Sequence, residues 1–282
     1  MEHTRASFVL GHHHEQAKVV YCQAGEPTLL VTEITPFHPQ SHLWPDQPGD
    51  VGTVGWEDGE AVVGPCRMGV ISPDGELFVD QGIPVKRGAE GWAFVVVHPL
   101  AGRHELAAGS TVELRVDAEA RHALSLGHSG CHLVALALNR VLIPYWRKEV
   151  SERDALGQPD FDRLAIQTSR VEPMGSREQY RIGKSLRKKG VNGEALLAEL
   201  AQIEERINEQ LAQWLATGGE IRRTRAGEAI IDSRYWHCVL EGQELSIPCG
   251  GTHVGNLAEL GRVSVQLSPA EEGFILISRV SP

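Results

Sequence analysis

The chain has 282 residues, 41% of them hydrophobic, and a formal net charge of -10. That length and apolar content suffice for a buried core divided between two domains and exclude disorder as the main state, while the acidic balance excludes a general nucleic-acid coat, whose affinity comes from neutralising phosphates. Five cysteines, Cys22, Cys66, Cys131, Cys238 and Cys249, are scattered through a chain too large to need disulfide staples, so reduced thiols are expected.

The first residues, Met-Glu-His-Thr-Arg-Ala-Ser, lack the positive patch, apolar segment and cleavage site of a secretory signal. The most apolar stretch, His132 to Trp146, is interrupted by Asn139 and Arg140 and falls short of the roughly 20 residues that cross a bilayer. A cytoplasmic protein with neither membrane nor DNA as partner is the expectation. From Phe8 to about Val116, short apolar runs (Lys18–Tyr21, Thr28–Ile34, Trp92–Val97) alternate with turn signals such as Pro48-Gly-Asp50, Asp58-Gly59 and Pro73-Asp-Gly75. This pattern predicts a small antiparallel β-barrel over residues 1–117.

After Asp117 the character changes, and Ala118–Asn139 carries Leu124, Cys131, Leu133, Val134 and Leu138 at helical spacing. A second helix is predicted where Leu196, Leu197, Leu200, Ile203, Ile207, Leu211 and Trp214 form one apolar stripe, stopped by Gly218 and Gly219. Val263, Val265 and Leu267 then alternate with polar neighbours and Phe274–Val280 is apolar, so residues 118–282 read as an α+β domain ending in strands.

His128 and His132 lie four apart on the first predicted helix, so both imidazoles project from one face, a geometry that can share a metal. The pair alone is a weak motif, because His38 and His42 have the same spacing; those sit beside Pro36, Pro39 and Pro45, where a helical turn is disfavoured. Pro248-Cys-Gly-Gly-Thr-His-Val254 adds a thiol and an imidazole around two glycines that permit a tight fold. On spacing alone, Cys249 is equally an ordinary buried thiol and His253 a capping or core histidine. Taken together, the four form a nitrogen and sulfur set suited to zinc. No carboxylate stands out as a general base, and Glu119, Glu149 and Glu178 read as solvated surface groups. Thr252 could orient a substrate or simply cap a turn. The basic run Lys184, Arg187, Lys188 and Lys189, with Arg222, Arg223 and Arg225, is either a phosphate-contacting patch or a solvated cluster.

The run Arg121–Leu133 (Arg-His-Ala-Leu-Ser-Leu-Gly-His-Ser-Gly-Cys-His-Leu) and the run Cys249–Gly261 (Cys-Gly-Gly-Thr-His-Val-Gly-Asn-Leu-Ala-Glu-Leu-Gly) resemble, in the right order, the two signature motifs of the alanyl-tRNA synthetase editing domain and its free-standing relatives. Between them, Tyr180-Arg-Ile-Gly-Lys-Ser-Leu-Arg-Lys-Lys-Gly190 is similar to a subgroup of the free-standing proteins. The resemblance runs from about Val112 onward. Free-standing members of medium size carry a small β-barrel before the editing domain, and Thr35-Pro-Phe stands where their glycine-rich loop begins. Here that loop departs from the family's Pro, several glycines and Gln, reading Pro39-Gln-Ser-His-Leu-Trp-Pro-Asp-Gln47.

This resemblance implies a trans-acting hydrolase that frees wrongly attached serine or glycine from alanine tRNA. Zinc would be bound by His128, His132, Cys249 and His253, and the resemblance favours Lys184, Arg187, Lys188 and Lys189 as contacts to the tRNA. If all four ligands bind at once, water must add as a fifth or one protein ligand must be labile. Two alternatives stay open: a zinc hydrolase of another small ester or amide, suggested by the altered loop, and a non-catalytic zinc protein that binds tRNA. The oligomeric state is not fixed by these features.

Overall fold

Val-rich runs punctuated by Gly, Pro and Asp fold as strands because β-branched side chains pack on a pleated surface while the turn residues end each run. In the computed structural model, which describes residues 2–282, these are β1 (Arg5–Ala6), β2 (His14–Gln23), β3 (Thr28–Thr32), β4 (Ile34–Thr35), β5 (Gly52–Trp56), β6 (Gly59–Val63), β7 (Arg67–Ile71), β8 (Leu77–Val79), β9 (Ala93–Leu100) and β10 (Thr111–Val116). The strands β3-β2-β10-β5-β6-β9 run antiparallel to their neighbours, and a further pairing of β3 with β9 closes them into a six-stranded barrel. The expected N-terminal barrel is therefore present. Val63 pairs with Leu100 and Arg67 with Val97, so β6 and β7 follow one edge of β9 and the chain bends between them. Val19, Leu30, Val54, Val63, Val96, Leu100 and Leu114 fill the interior.

The remaining elements are α1 (Ala118–Val141), α2 (Phe161–Ala165), β11 (Ile166–Glu172), β12 (Gly175–Arg181), α3 (Lys184–Lys189), α4 (Gly193–Ala198), α5 (Leu200–Thr217), β13 (Ile221–Arg225), β14 (Arg234–Leu240), β15 (Gln243–Pro248), β16 (Arg262–Ala270) and β17 (Gly273–Ser281). By spatial contacts the chain forms two units: Met1–His122 with Arg223–Tyr235 and Pro248–Thr252, and Ala123–Arg222 with Trp236–Ile247 and His253–Pro282. In the first, Ile230 joins the barrel core and Ala229 bridges to Arg5.

The second unit is built on the antiparallel sheet β11-β12-β17-β16. The edge strand β16 has backbone groups that need partners. The Asn208 amide supplies two, donating to the Val265 carbonyl at 3.1 Å and accepting from its N–H at 2.8 Å, and Glu204 accepts from the Leu267 N–H at 2.7 Å. Of the apolar stripe predicted for one helix, Leu196, Leu200, Ile203, Ile207, Leu211 and Trp214 are buried and Leu197 is half-buried, but the stripe is carried by two helices. Glu199 leaves the helical region (φ -113°, ψ 22°) between α4 and α5, and its carboxylate accepts from the Tyr145 hydroxyl at 2.6 Å.

Helix α1 lies very close to the turn joining β11 and β12. A Cβ at Gly127 would stand 2.3 Å from the Glu172 carbonyl oxygen and 2.5 Å from that of Gly175, and one at Gly130 would stand 2.9 Å from Val280 Cγ2. The Met174 N–H reaches the Ala123 carbonyl at 2.8 Å, pinning the turn to the helix. At about 100° per residue, a sheet-facing Gly127 turns positions 128 and 132 roughly 100–140° away from it. The two histidines therefore leave the sheet on the same side of α1. Gly127→Ala is expected to lower the unfolding free energy by about 2 kcal/mol in urea titration, the crowding outweighing the gain in helix propensity. Gly55→Ala, where a Cβ meets nothing within 4 Å, should change it by less than about 0.5 kcal/mol.

Candidate metal centre

The rings of His128 and His132, one turn apart on α1, lie parallel within 10° at a centroid distance of 5.0 Å. His253 brings a third imidazole, 4.5 Å from the ring of His128 and 5.0 Å from that of His132. Trp236 on β14 stacks on His132 at 5.0 Å, walling that side with an apolar face. The Ser129 hydroxyl lies 3.2 Å from His253 Nδ1 and accepts from the Val254 N–H at 3.2 Å, tying the segment around His253 to α1. Beyond it, Asn256 and Glu259 form a reciprocal capping box on a short 3-10 turn, Leu257–Leu260, whose two leucines are buried. The loop is thus anchored on both sides of His253.

His128, His132, Cys249 and His253 each offer one ligand atom, and these four atoms lie within 4.8 Å of one another. Burial lowers the His128 pKa to about 4, so its ring is neutral near pH 7 and keeps a lone pair for coordination. Burial also pushes the Cys249 thiol up to about 12; without a cation the thiolate is strongly disfavoured there. Three imidazoles and a thiol converging at this distance are a donor set that fits a borderline-soft metal, whose charge would reverse the preference at Cys249. The cluster could hold a metal ion.

In the barrel unit, the loop spanning residues 36–50 is held by a buried ion pair. Arg121 donates through Nε to Asp50 Oδ1 at 2.8 Å and through Nη2 to the second carboxylate oxygen and to the Pro36 carbonyl. The Asp50 carboxylate also accepts the His38 N–H. Burial raises the Asp50 pKa, and the Arg121 charge opposes that rise. The same loop carries Gln47, whose side-chain amide donates to Thr252 Oγ1 at 2.8 Å and accepts from the Thr252 N–H at 3.0 Å. Gln47 and Thr252 are both buried. The segment between Cys249 and His253 is therefore gripped by a loop residue distant in sequence.

The other sequence candidates are dispersed. Lys184, Arg187 and Lys188 stand exposed on α3, and Lys189 pairs with Glu152. Arg222 pairs with Glu244, and Arg225 donates to the Ala6 carbonyl and to Glu228. His38 and His42 lie in a stretch without helix, as the neighbouring prolines imply. Glu119 and Glu149 are exposed. Glu178 is not the solvated group expected: it is 1% exposed on β12 and accepts from Ser176 Oγ at 3.1 Å, Ser169 Oγ at 3.3 Å and Cys131 Sγ at 3.4 Å. The signal was the period of two in Ser176, Glu178 and Tyr180, which sends all three to one face of the strand. Asp50, Arg121, Gln47 and Ser129 were not singled out as site residues; only their partners in space give them a role.

No family model matches the chain. Among curated proteins, it is 26% identical over 267 residues to an alanine–tRNA ligase of Picosynechococcus sp., matching 91% of this chain and 24% of that protein. It is 28% identical over 245 residues to an alanine–tRNA ligase of Thermotoga petrophila, matching 82% of this chain and 22% of that protein. The chain is similar to one segment of alanine–tRNA ligases. It spans about a quarter of the length of these relatives. Among the described residues no helix is long and apolar enough to cross a membrane.

Burial raises the Glu178 pKa to about 7 from 4.5, its three hydrogen bonds opposing the shift only in part. Because the folded state holds this proton more tightly than the unfolded chain, the stabilisation is complete below about pH 4.5 and is lost as pH rises to about 7. That loss is on the order of 3 kcal/mol for such a shift. Thermal melts from about pH 4.5 to 7.5 should show a steeper fall for the parent protein than for Glu178→Gln; parallel profiles would rule out a buried, protonated Glu178.

Proposed function

We propose that this chain is a zinc-dependent hydrolase that deacylates mischarged alanine tRNA, releasing serine or glycine by cleaving the ester to the terminal ribose. The carrying observation is the convergence of three imidazoles and one thiol within 4.8 Å, in a chain that is similar over most of its length to one segment of alanine–tRNA ligases. Action in trans is proposed on the resemblance of Tyr180–Gly190 to the free-standing editing proteins.

When bound, zinc supplies Lewis-acid polarisation of the ester carbonyl and activation of the attacking water. The protein's own residues do the rest. His128 and His132 present their lone pairs from one side of α1, and Trp236 keeps bulk water from the His132 ring. The proposed tautomer of His253 has Nδ1–H donated to Ser129, which leaves Nε2 as the ligating nitrogen. Thr252 is proposed as a positioning residue: with its N–H and hydroxyl engaged by Gln47, it sets the course of the chain between Cys249 and His253. Lys184, Arg187 and Lys188 on α3 are the proposed backbone contacts to tRNA, joined by Lys189 when its pair with Glu152 opens.

The test is release of serine from serine-charged alanine tRNA, with correctly charged alanine as the control. Release is expected to be selective for serine, abolished by chelator, and reduced at least about 100-fold by His128→Ala, because metal activation of water and carbonyl is lost. Gln47→Ala should lower the rate while retaining bound zinc. A zinc-loaded parent protein that releases no serine, and in which His128→Ala only lowers the melting temperature, would overturn the proposal in favour of a structural metal.

A further inference from the structure

A cavity of about 220 Å³ opens beside the ligand candidate Cys249, within the barrel unit, with Arg87, Asp232, Arg234, Tyr235 and Gly250 among its walls. Its charge is unbalanced. Arg234 is half-buried and donates from Nη1 to the Ile230 carbonyl at 3.1 Å, with its guanidinium over the Phe8 ring at 5.4 Å. Its buried Nε has no hydrogen-bond partner among the described residues. Arg87 donates only to the carbonyls of Ile231 and Asp232. The single carboxylate in the wall, Asp232, is drawn into its own turn, where it accepts the Ala229 N–H at 2.7 Å. Among the described residues neither guanidinium has a carboxylate within ion-pair distance.

Gly250 keeps this charge accessible. It is exposed, and a Cβ there would stand 3.2 Å from Arg234 Nη2 and 3.7 Å from Nε. Any side chain at position 250 would crowd the guanidinium face that borders the cavity. A half-buried guanidinium whose buried Nε is an unused donor, a second guanidinium bonded to carbonyls, and a glycine that leaves the approach open make a site for an anion. Planar forked donors suit the tetrahedral oxygens of a phosphate group.

We infer that the Arg87–Arg234 cavity binds the last phosphodiester of a single-stranded RNA 3′ end, placing the terminal ribose beside Cys249. The identity of the anion rests on the deacylation proposed above, since an ester at a terminal ribose is preceded by one phosphodiester.

Binding of a short 5′-fluorescein RNA ending in CCA, measured by anisotropy on the zinc-loaded full chain, tests this apart from catalysis. Replacing the last phosphodiester by an uncharged methylphosphonate is expected to weaken binding by the parent protein about tenfold. The exposed substitution Arg87→Ala should weaken binding of the natural RNA by a similar factor and remove most of the difference between the two RNAs. Arg234→Lys, which keeps the charge and loses the fork, should fall between. Equal binding of the two RNAs by the parent, or an undiminished difference in folded Arg87→Ala, would overturn the inference, as would competition by 5′-AMP as effective as that by the RNA. If the differences appear without serine release, the subsite stands and the deacylation reading fails. If serine release proceeds and Arg87→Ala leaves its KM unchanged, the deacylation reading stands and the subsite fails.

Discussion

The close seating of α1 on the β11–β12 turn is the constraint from which the geometry of the histidines follows. With backbone oxygens 2.3 and 2.5 Å from where a Cβ would sit at Gly127, no side chain fits at that position without moving the helix or the turn. The close approach fixes which face of α1 meets the turn. His128 and His132 are then directed away from the sheet by helical geometry alone, and Ser129, between them, is placed to reach His253 and Val254. Cys131 falls instead toward the sheet, where it meets Glu178. One helix surface thus supports two unlike environments: the His128 imidazole kept neutral by burial on one side, and on the other a carboxyl whose pKa burial raises to about 7.

The first turn of the same helix performs a second task in the barrel unit. Arg121 neutralises Asp50, and removing either partner alone would strand a buried charge, a change that typically costs several kcal/mol. Asp50 holds the end of the loop that carries Gln47, and Gln47 engages the N–H and the hydroxyl of Thr252. The order of dependence runs from a buried ion pair to a loop, and from the loop to the segment that bears Cys249 and His253. The unusual composition of residues 39–47 is consistent with this: the loop's start is held at Pro36 and His38 by Arg121 and Asp50, its end through Gln47 and Asp50, while Leu43 and Trp44 in its middle are exposed.

Much of this was legible in the sequence where a local rule governs. The barrel strands follow from alternation and turn residues, α1 from helical spacing, and the pairing of His128 with His132 from the four-residue repeat. Resemblance to known motifs, rather than any periodicity, joined Cys249 and His253 to that pair. What could not be read were the consequences of tertiary packing. Nothing local to Glu199 distinguishes a break between α4 and α5 from an exposed turn of one continuous helix, because the apolar stripe passes through it unchanged. Glu178 looked solvated because carboxylates usually are, and only its alternation with Ser176 and Tyr180 signalled otherwise. Gln47, Asp50 and Arg121 are ordinary polar residues in sequence; the Arg121–Asp50 pair spans 71 positions and the Gln47–Thr252 pair 205.

Three imidazoles and a thiol in one cluster make a claim about coordination that can be checked without any substrate. Zinc K-edge X-ray absorption on the metal-loaded full chain should show one sulfur at about 2.3 Å and a shell of imidazole nitrogens at about 2.0 Å, with the sulfur lost in Cys249→Ser. A first shell without sulfur in the parent protein, or one unchanged by Cys249→Ser and by His253→Ala, would contradict the assignment of these residues as the metal centre.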